Sequence, residues 1–356
     1  MVQDLLPWIL LTMVLLMKPT ALQLSVAALL LHAGAAFQGA LAQAAAQPSH
    51  ILNPLGDPPI HLQDPFIYAD AKRYFLFGTA SPAQGFQCYE SSDLVNWKTD
   101  GWAWKISGLR VARGELHAPQ VFTYQGMYCL VYSARMPSGV QLALAAAVQP
   151  QGPYHDLHVP WLDLGDGCAS GFVFVDRSKA FLIFSRPGAQ GAGTGTIYGV
   201  ALNQDLSKKV GPPVMLLKPD QRWESTGKDL KRTIESPRVF KIGSKYYLTY
   251  TAIDPTTSQS AIGYATADQP LGPWIKNPDN PMLAEQAKTG IVRPAKGSVF
   301  PSLDRKEWFM VYQTIAQPAG NREESVVNID RVVVLGIRQL SVEVLARRAQ
   351  TPPAPR

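Results

Sequence analysis

The sequence predicts an all-β protein with the fold of a five-bladed β-propeller. The main observation is a motif that occurs five times, each copy being a short apolar strand, a polar turn and an aromatic-rich second strand. The copies begin 54, 52, 66 and 60 residues apart, at Pro65, Pro119, Gly171, Pro237 and Gly297. A repeat of this length built from strand pairs is typical of a propeller, in which each copy forms one blade.

A second repeat indicates that the blades contain more than two strands. Residues 142–157 (LALAAAVQPQGPYHDL) parallel residues 261–277 (AIGYATADQPLGPWIKN), and in both a strand with small residues runs into a Gly-Pro turn. Propeller blades normally have four antiparallel strands. We therefore expect the small side chains to let neighbouring blades approach, and Tyr154 and Trp274 to cover the blade edge.

Composition and charge favour one large domain that handles sugars. The chain has 356 residues, of which 46% are hydrophobic and only 17% charged. Its net charge of +6 is spread without a Lys/Arg run, so we expect no nucleic-acid partner. The repeats predict a propeller domain over residues 59–345, followed by a disordered tail over residues 346–356.

The beginning of the chain has the pattern of a targeting segment. Lys18 precedes an apolar run that ends in small residues through Ala44, which is the order of a signal peptide and its cleavage site. We predict a signal peptide over residues 1–46, with Met17 as a candidate true start, and a linker over residues 47–58. The protein would then be periplasmic or secreted, without stable membrane insertion after cleavage. The alternative is an uncleaved anchor, because the residues before Met17 add apolar length.

The starts of the five first strands should meet at the propeller axis, where they bring two carboxylates and one lysine together. Asp64 precedes a proline, which biases its backbone towards an extended conformation; the alternative is an aspartate that caps a turn. Glu235 stands beside an apolar strand start, where partial desolvation would favour the protonated form that a general acid needs. Its alternative is a solvated loop glutamate. The residues at these starts are Asp64, Ala118, Ser170, Glu235 with Ser236, and Lys296.

The chain resembles glycoside hydrolase family 43, whose five-bladed propellers cut arabinose- or xylose-containing polysaccharides. The resemblance extends from about His61 to Arg331. Its motifs are QDPFIY at residues 63–68, SSDLVNW at 91–97, LHAPQVF at 116–122, FSR at 184–186, TIESPRVF at 233–240 and KGSVFPSLDRKEWFMVY at 296–312.

The resemblance implies three acids, of which this chain keeps two. Asp64 matches the general base and Glu235 matches the general acid of an inverting mechanism. The third acid, an aspartate that keeps the general acid protonated and oriented, is replaced by Ser170. Asp166 or Asp163 could substitute if their loop folds inward; the alternative is that both are ordinary loop acids. Without a charged neighbour for Glu235, we expect activity to favour acidic pH.

Three further positions depart from the family pattern. Lys296 replaces a histidine that the family places near a pore ion, and its ammonium would repel a divalent cation and replace its charge. We therefore predict no calcium in the pore, no metal ion and no cofactor. The alternative is a lysine that extends to bulk solvent. Ser236 replaces a glycine and would narrow the space beside Glu235, and Gln120 stands where the second blade often carries an acid.

Four residues are candidates for contact with the sugar. Besides Lys296, Arg186 could reach the sugar or the acid, or else form an ion pair between blades. His117 could hydrogen-bond a sugar hydroxyl, although a lone histidine is more often structural. Trp102, with Trp104, could form a platform that stacks on sugar rings, or else pack in the core.

These features together predict an exported inverting glycoside hydrolase that acts on α-L-arabinofuranosyl or β-xylosyl linkages, with a carbohydrate as its partner. Two alternatives stay open at this point. One is a glycan-binding propeller that has lost its chemistry with its third acid. The other is a related propeller hydrolase with a different sugar specificity, such as galactan.

Overall fold

The computed structural model describes part of the chain, and the predicted signal peptide, Asp166 and most of the predicted tail lie outside that part. Among the described residues, no helix has the length and apolar character needed to cross a bilayer. Their only helices are two 3-10 turns, Arg222–Glu224 and Ala287–Thr289. The described residues are 50–106, 115–165, 167–186, 195–224, 233–254, 257–316, 323–336, 338–345 and 347.

In the part of the chain that the structure describes, twenty strands form five antiparallel four-stranded sheets, and each sheet consists of strands consecutive in the chain. This confirms the predicted five-bladed β-propeller. The first two blades are β1 Gln63–Ala69, β2 Tyr74–Ser81, β3 Gly85–Ser91 and β4 Lys98–Lys105, then β5 His117–Tyr124, β6 Met127–Met136, β7 Gly139–Ala147 and β8 His155–His158. The third and fourth are β9 Ala169–Asp176, β10 Lys179–Arg186, β11 Thr196–Leu202 and β12 Lys209–Leu217, then β13 Thr233–Ile242, β14 Lys245–Ile253, β15 Ser260–Ala267 and β16 Ile275–Lys276. The fifth is β17 Ala295–Pro301, β18 Trp308–Ala316, β19 Glu324–Gly336 and β20 Gln339–Glu343.

The strand composition follows from how the blades stack. The first strands of successive blades are neighbours around the axis, with β1 in contact with both β5 and β17. The middle of each second strand is covered on both faces, so its side chains are mostly apolar without alternation; in β14, every residue from Tyr246 to Ala252 is buried. The predicted edge covers are also present, since Tyr154 and Trp274 are both buried beside their Gly-Pro turns.

The segment before blade 1 packs on blade 5 and closes the ring. In the predicted linker, Leu55 is buried and its amide donates to the carbonyl of Val327 at 2.8 Å. The side chain of Asn53, also buried, donates to Asp330 Oδ1 at 3.0 Å. Blades 1 and 5 share no strand, so these contacts join the two ends of the propeller.

Candidate active site

The first strand of every blade begins with the same irregularity, a β-bulge that contains a left-handed residue. In blade 1, Gln63 pairs with Thr79, but the next pair is Phe66 with Phe77, so the residues between them are bulged. Asp64 therefore has φ +50°, and its predicted extended conformation is wrong. The corresponding residues of the other blades are Ala118 (φ +54°), Ser170 (+53°), Ser236 (+55°) and Lys296 (+62°).

Side chains of the preceding blade hold these strained residues in place. In four of the five blades, the amide of the left-handed residue donates to a side-chain oxygen on the second strand of the blade before it. The four pairs are Asp64 to Gln313 Oε1 (2.7 Å), Ser170 to Ser133 Oγ (2.9 Å), Ser236 to Ser185 Oγ (2.9 Å) and Lys296 to Thr251 Oγ1 (2.8 Å).

Blade 2 is the exception, and the difference orients the predicted base. The Ala118 amide donates to Asp64 Oδ2 at 3.1 Å instead of to blade 1's second strand. Thr79, which has the corresponding place on that strand, is buried, and its hydroxyl has no partner among the described residues. The backbone of blade 2 therefore fixes one oxygen of the Asp64 carboxylate.

Relative to the bulge of its strand, Glu235 lies one residue earlier than Asp64 does, at a more exposed level of the axial site that we call the rim. It pairs with Thr251, as Gln63 pairs with Thr79, and so it precedes the left-handed residue of its blade. Its side chain is 26% exposed, whereas that of Asp64 is 7% exposed. The axial site thus contains one buried carboxylate and one that reaches the opening.

Lys296 brings these two carboxylates together. Its Nζ contacts Glu235 Oε1 and lies 3.6 Å from Asp64 Oδ1. It also donates to the Ser236 hydroxyl at 2.9 Å. The side chain is only 15% exposed, so the alternative of a lysine that extends into bulk solvent is wrong.

The charges at the axis stabilise one another. Burial opposes ionisation of Asp64, but Lys296, His117, the Ala118 amide and Arg238 together hold the pKa of Asp64 below its usual 3.8. Burial also opposes the Lys296 ammonium, but Glu235 and Asp64 raise the pKa of Lys296 above its usual 10.5. Asp64 is therefore ionised and Lys296 protonated at neutral pH.

Arg238 is a residue of the axis that the sequence analysis missed. It is 1% exposed, and burial lowers its pKa to about 10 against the opposing attraction of Asp64 and Glu235. Its Nη1 donates to the Pro237 carbonyl at 3.0 Å, while Nε and Nη2 have no hydrogen-bond partner among the described residues. The available signal was a charged residue inside an apolar strand, in PRVF.

Comparisons with known proteins agree with this architecture. A family model described as glycosyl hydrolases family 43 matches residues 53–336. The chain belongs to glycosyl hydrolase family 43. It is therefore a glycoside hydrolase by family. It is also similar to the crystal structure of a thermostable family-43 glycoside hydrolase, with 31% identity and a TM-score of 0.76, over 86% of this chain and 100% of that one.

Two curated relatives of this family-43 chain are more distant. The β-D-galactofuranosidase xynD of Aspergillus niger is 24% identical over 295 residues, which cover 75% of this chain and 80% of that protein. The extracellular exo-α-(1→5)-L-arabinofuranosidase ArbA of Cellvibrio japonicus is 24% identical over 221 residues, which cover 53% of this chain and 58% of that protein.

In this family-43 chain, the position predicted for a third acid is linked to Lys296 by hydroxyl groups. Ser170 is buried, and its Oγ lies 3.4 Å from the Oγ of Ser236, which accepts from Lys296. Asp163 is exposed, although Trp161 and Leu164 beside it are buried, and its backbone carbonyl accepts from Lys209. The other predicted substitute, Asp166, lies outside the described residues.

The remaining predicted sugar contacts, His117 and Arg186, interact with different parts of the molecule. His117 occupies the rim position of blade 2 and acts electrostatically on Asp64, and its Nδ1 is 2.9 Å from the Glu115 carbonyl. Arg186 instead donates to the Leu164 carbonyl at 2.6 Å, with its guanidinium over Tyr198.

The two tryptophans lie in blade 1's outermost strand. Trp102 stands on β4 with the Lys105 ammonium over its ring. Trp104, on the same strand, is buried against Phe86 and Tyr132, as the core-packing alternative expected. Of the predicted sugar contacts, the structure brings Lys296 and His117 to the carboxylates, but not Trp102 or Arg186.

The axial residues do not fit the pore cation that the family resemblance implies. The Lys296 ammonium occupies the place of the family's histidine, contacts Glu235 and lies 3.6 Å from Asp64, and a positive charge there repels a cation. Among the described residues, no group of three or more His, Cys, Asp and Glu side chains could hold a metal ion.

Proposed function

We propose that this protein is an exported hydrolase that cleaves arabinofuranosyl or xylosyl linkages with inversion, with Asp64 as base and Glu235 as acid. The observation that carries the proposal is the convergence of two carboxylates, from blades 1 and 4, on the single Nζ of Lys296. A pair of carboxyl groups flanking the scissile bond is the usual machinery of glycoside hydrolysis.

The environments of the two carboxylates support these separate roles. Asp64 is buried, ionised and oriented by the Ala118 amide, which suits a base that removes a proton from water. Glu235 is more exposed and stands at the rim, where a leaving-group oxygen can approach it. Water activated by Asp64 would attack the anomeric carbon from the side opposite to Glu235, and this geometry inverts the configuration.

The relatives support a furanoside as substrate. One relative is named a galactofuranosidase and the other an exo-arabinofuranosidase, so both names specify five-membered sugar rings. We place arabinofuranosides first, xylosides second, and galactofuranosides as the alternative specificity. Export is supported by the signal-peptide pattern before residue 47 and by the extracellular arabinofuranosidase relative.

A second candidate function is glycan binding without turnover, and the specific observation in its favour is the same lysine. A general acid must present a proton to the leaving group, whereas Glu235 Oε1 here accepts from the Lys296 ammonium. Position 170, where the family resemblance implies a third carboxylate, is a serine.

Hydrolysis of 4-nitrophenyl α-L-arabinofuranoside, β-D-xyloside and β-D-galactofuranoside, followed from acidic to neutral pH, tests the proposal. We expect turnover of at least one substrate, and a loss of about 10²–10⁴-fold in kcat for Asp64→Asn. The matched control is Glu115→Gln, an exposed carboxylate near the rim that pairs with Arg135 and should leave kcat unchanged. Proton NMR of the first product formed should detect the inverted anomer. Glycan binding with no turnover of any substrate would favour the second candidate.

A further inference from the structure

An inverting hydrolase must move one proton in every turnover. The acid gives a proton to the leaving group and the base receives one from water, so the two side chains end each cycle with exchanged protonation states. Asp64 is nearly enclosed, with its side chain 7% exposed, which restricts direct exchange of its proton with solvent. A group placed between the two carboxylates could return the proton internally.

We propose that Lys296 carries the proton from Asp64 back to Glu235, and that it is therefore a catalytic residue of this hydrolase. Its Nζ contacts Glu235 Oε1 and lies 3.6 Å from Asp64 Oδ1, so one atom is in contact with one end of the transfer and just beyond hydrogen-bonding distance of the other. This inference rests on the proposed function, and it assigns to Lys296 a role beyond binding the sugar.

The cycle balances in protons and charge. It begins with two carboxylates and the Lys296 ammonium, which gives a proton to Glu235 Oε1 and becomes a neutral amine. Glu235 then protonates the glycosidic oxygen as the bond to the anomeric carbon breaks. Water forms the new bond to that carbon, and Asp64 takes the proton that the water loses. Finally, protonated Asp64 gives its proton to the Lys296 amine, which restores the starting state without exchange with solvent.

The same contact removes the difficulty of an acid that lacks its proton. The charged and titratable groups around Lys296 are Asp64 and Glu235, which favour its ammonium, and Arg238, which opposes it; His117 faces Asp64. A sugar bound over the rim would exclude water from Lys296 and Glu235. Desolvation disfavours charged groups, and so it favours the neutral amine and carboxylic acid over the ion pair.

The backbone of Lys296 is held as firmly as its side chain. Its amide donates to Thr251 Oγ1 at 2.8 Å, and its ammonium donates to Ser236 Oγ at 2.9 Å. The ammonium therefore keeps its place between the carboxylates through anchors that do not themselves titrate near neutral pH. From this place, a shift of a few tenths of an ångström brings Nζ within hydrogen-bonding distance of Asp64 Oδ1.

Lys296→Arg and Lys296→Met separate proton transfer from charge pairing. Arginine keeps a positive charge beside the carboxylates but cannot be deprotonated in proteins. We expect kcat of Lys296→Arg to fall at least about 100-fold at neutral pH, with a smaller loss at acidic pH, where Glu235 can take its proton from solvent. Added ethylamine should restore part of the activity of Lys296→Met. The control is Lys245→Arg, whose lysine pairs with Asp268 and should tolerate the change.

The outcomes distinguish this inference from the proposed function. If the wild-type enzyme turns over no substrate, the proposed function fails and this inference fails with it. If the wild type is active and Lys296→Arg keeps its kcat within about threefold at neutral pH, the inference alone is overturned. Thermal unfolding checks that each variant is folded. If Lys296→Arg does not fold, a folded Lys296→Met that no amine rescues also overturns the inference.

Discussion

Two lysine–carboxylate clusters in this propeller look alike but differ in how completely their acids are satisfied. In one, Lys276 Nζ lies 2.5 Å from Glu224 Oε1 and 2.8 Å from Asp220 Oδ1. In the other, Lys296 contacts Glu235 and approaches Asp64. Each lysine thus lies between two carboxylates.

The difference is in the remaining hydrogen bonds. Glu224 is fully enclosed and also accepts from the Tyr250 hydroxyl and from two backbone amides, those of Asp220 and Gln221. Glu235 is partly exposed, and among the described residues its carboxylate accepts only from Lys296. A saturated carboxylate has a structural role, whereas one with free lone pairs at an opening can act on a ligand.

The largest expected effect separates the two clusters by activity. Glu235→Gln removes the proposed acid, and we expect kcat to fall about 10²–10⁴-fold with a natural oligosaccharide. Its midpoint of thermal unfolding should fall less than that of Glu224→Gln, because Glu235 is partly exposed and Lys296 keeps Asp64 and the Ser236 hydroxyl as partners. Steady-state kinetics and thermal unfolding of the same preparation measure both. Full activity in this variant would remove Glu235 from the mechanism.

The same substitution in the structural cluster should have the opposite result. In Glu224→Gln, one carboxylate oxygen becomes an NH₂ group that cannot accept: either Oε1, the acceptor of Lys276, or Oε2, the acceptor of the two backbone amides. Lys276 is also left beside a neutral side chain in a buried place. We expect a loss of about 3 kcal/mol in the free energy of unfolding, with kcat of the folded fraction unchanged. Urea denaturation measures this loss. An unaltered stability would mean that this cluster is no more structural than the axial one.

The pH dependence of stability should reveal the axial charges. The raised pKa of Lys296 stabilises the folded state below about pH 10.5, and this contribution is lost as pH rises through the higher folded value. The lowered pKa of Asp64 stabilises above about pH 3.8, and this is lost as pH falls through the lower folded value.

Lys296→Met should therefore be less stable than the wild type by about 3 kcal/mol near neutral pH, because it leaves a buried carboxylate unpaired. The gap should narrow at both pH extremes. Denaturant titrations across pH measure it, and a gap that does not vary with pH would show that packing, not charge, explains the loss.

A smaller effect is expected where the third acid is missing. Ser170→Asp would add a negative charge that only the Ser236 hydroxyl separates from Lys296. We expect the alkaline limb of the kcat profile to move up by about one pH unit, which corresponds to ~1.4 kcal/mol. Ser133→Ala is a useful comparison, since it disturbs the same amide without adding charge. An unmoved profile for Ser170→Asp would mean that position 170 does not affect the proton equilibrium of the acid.

The smallest effect compares two threonines that occupy corresponding places in their blades. Thr251 accepts the amide of Lys296, whereas Thr79 has no partner for its hydroxyl among the described residues. We expect Thr251→Val to cost about 1–2 kcal/mol and Thr79→Val to be nearly neutral. Urea denaturation of the two variants measures the difference. Equal losses would contradict the assignment of the Ala118 amide to Asp64.

The repeats made the fold predictable, because every blade repeats the same apolar strand pair at a regular interval. They also brought Asp64, Ser170 and Lys296 to one axis, since corresponding positions of a propeller converge. The left-handed conformation of these bulge residues was not predictable, because a bulge depends on hydrogen bonds to the neighbouring blade.

Side-chain partners were harder to predict than positions. Trp102 had the composition of a sugar platform, but strand order places it on the outermost strand of its blade. Arg238 was missed because its immediate neighbours in the sequence are apolar, while its charge partners are Asp64 of blade 1 and Glu235 of its own strand. Such contacts depend on tertiary packing, which a strand pattern does not record.

The most direct test of the central claim is the leaving-group dependence of Glu235→Gln. 2,4-Dinitrophenolate leaves a glycoside without being protonated, whereas the sugar alcohol that leaves an oligosaccharide needs a proton from an acid. If Glu235 is the acid, the variant should hydrolyse the dinitrophenyl substrate at a rate close to that of the wild type and lose its activity on the oligosaccharide. Equal losses on both substrates would contradict the assignment of the acid at the propeller axis.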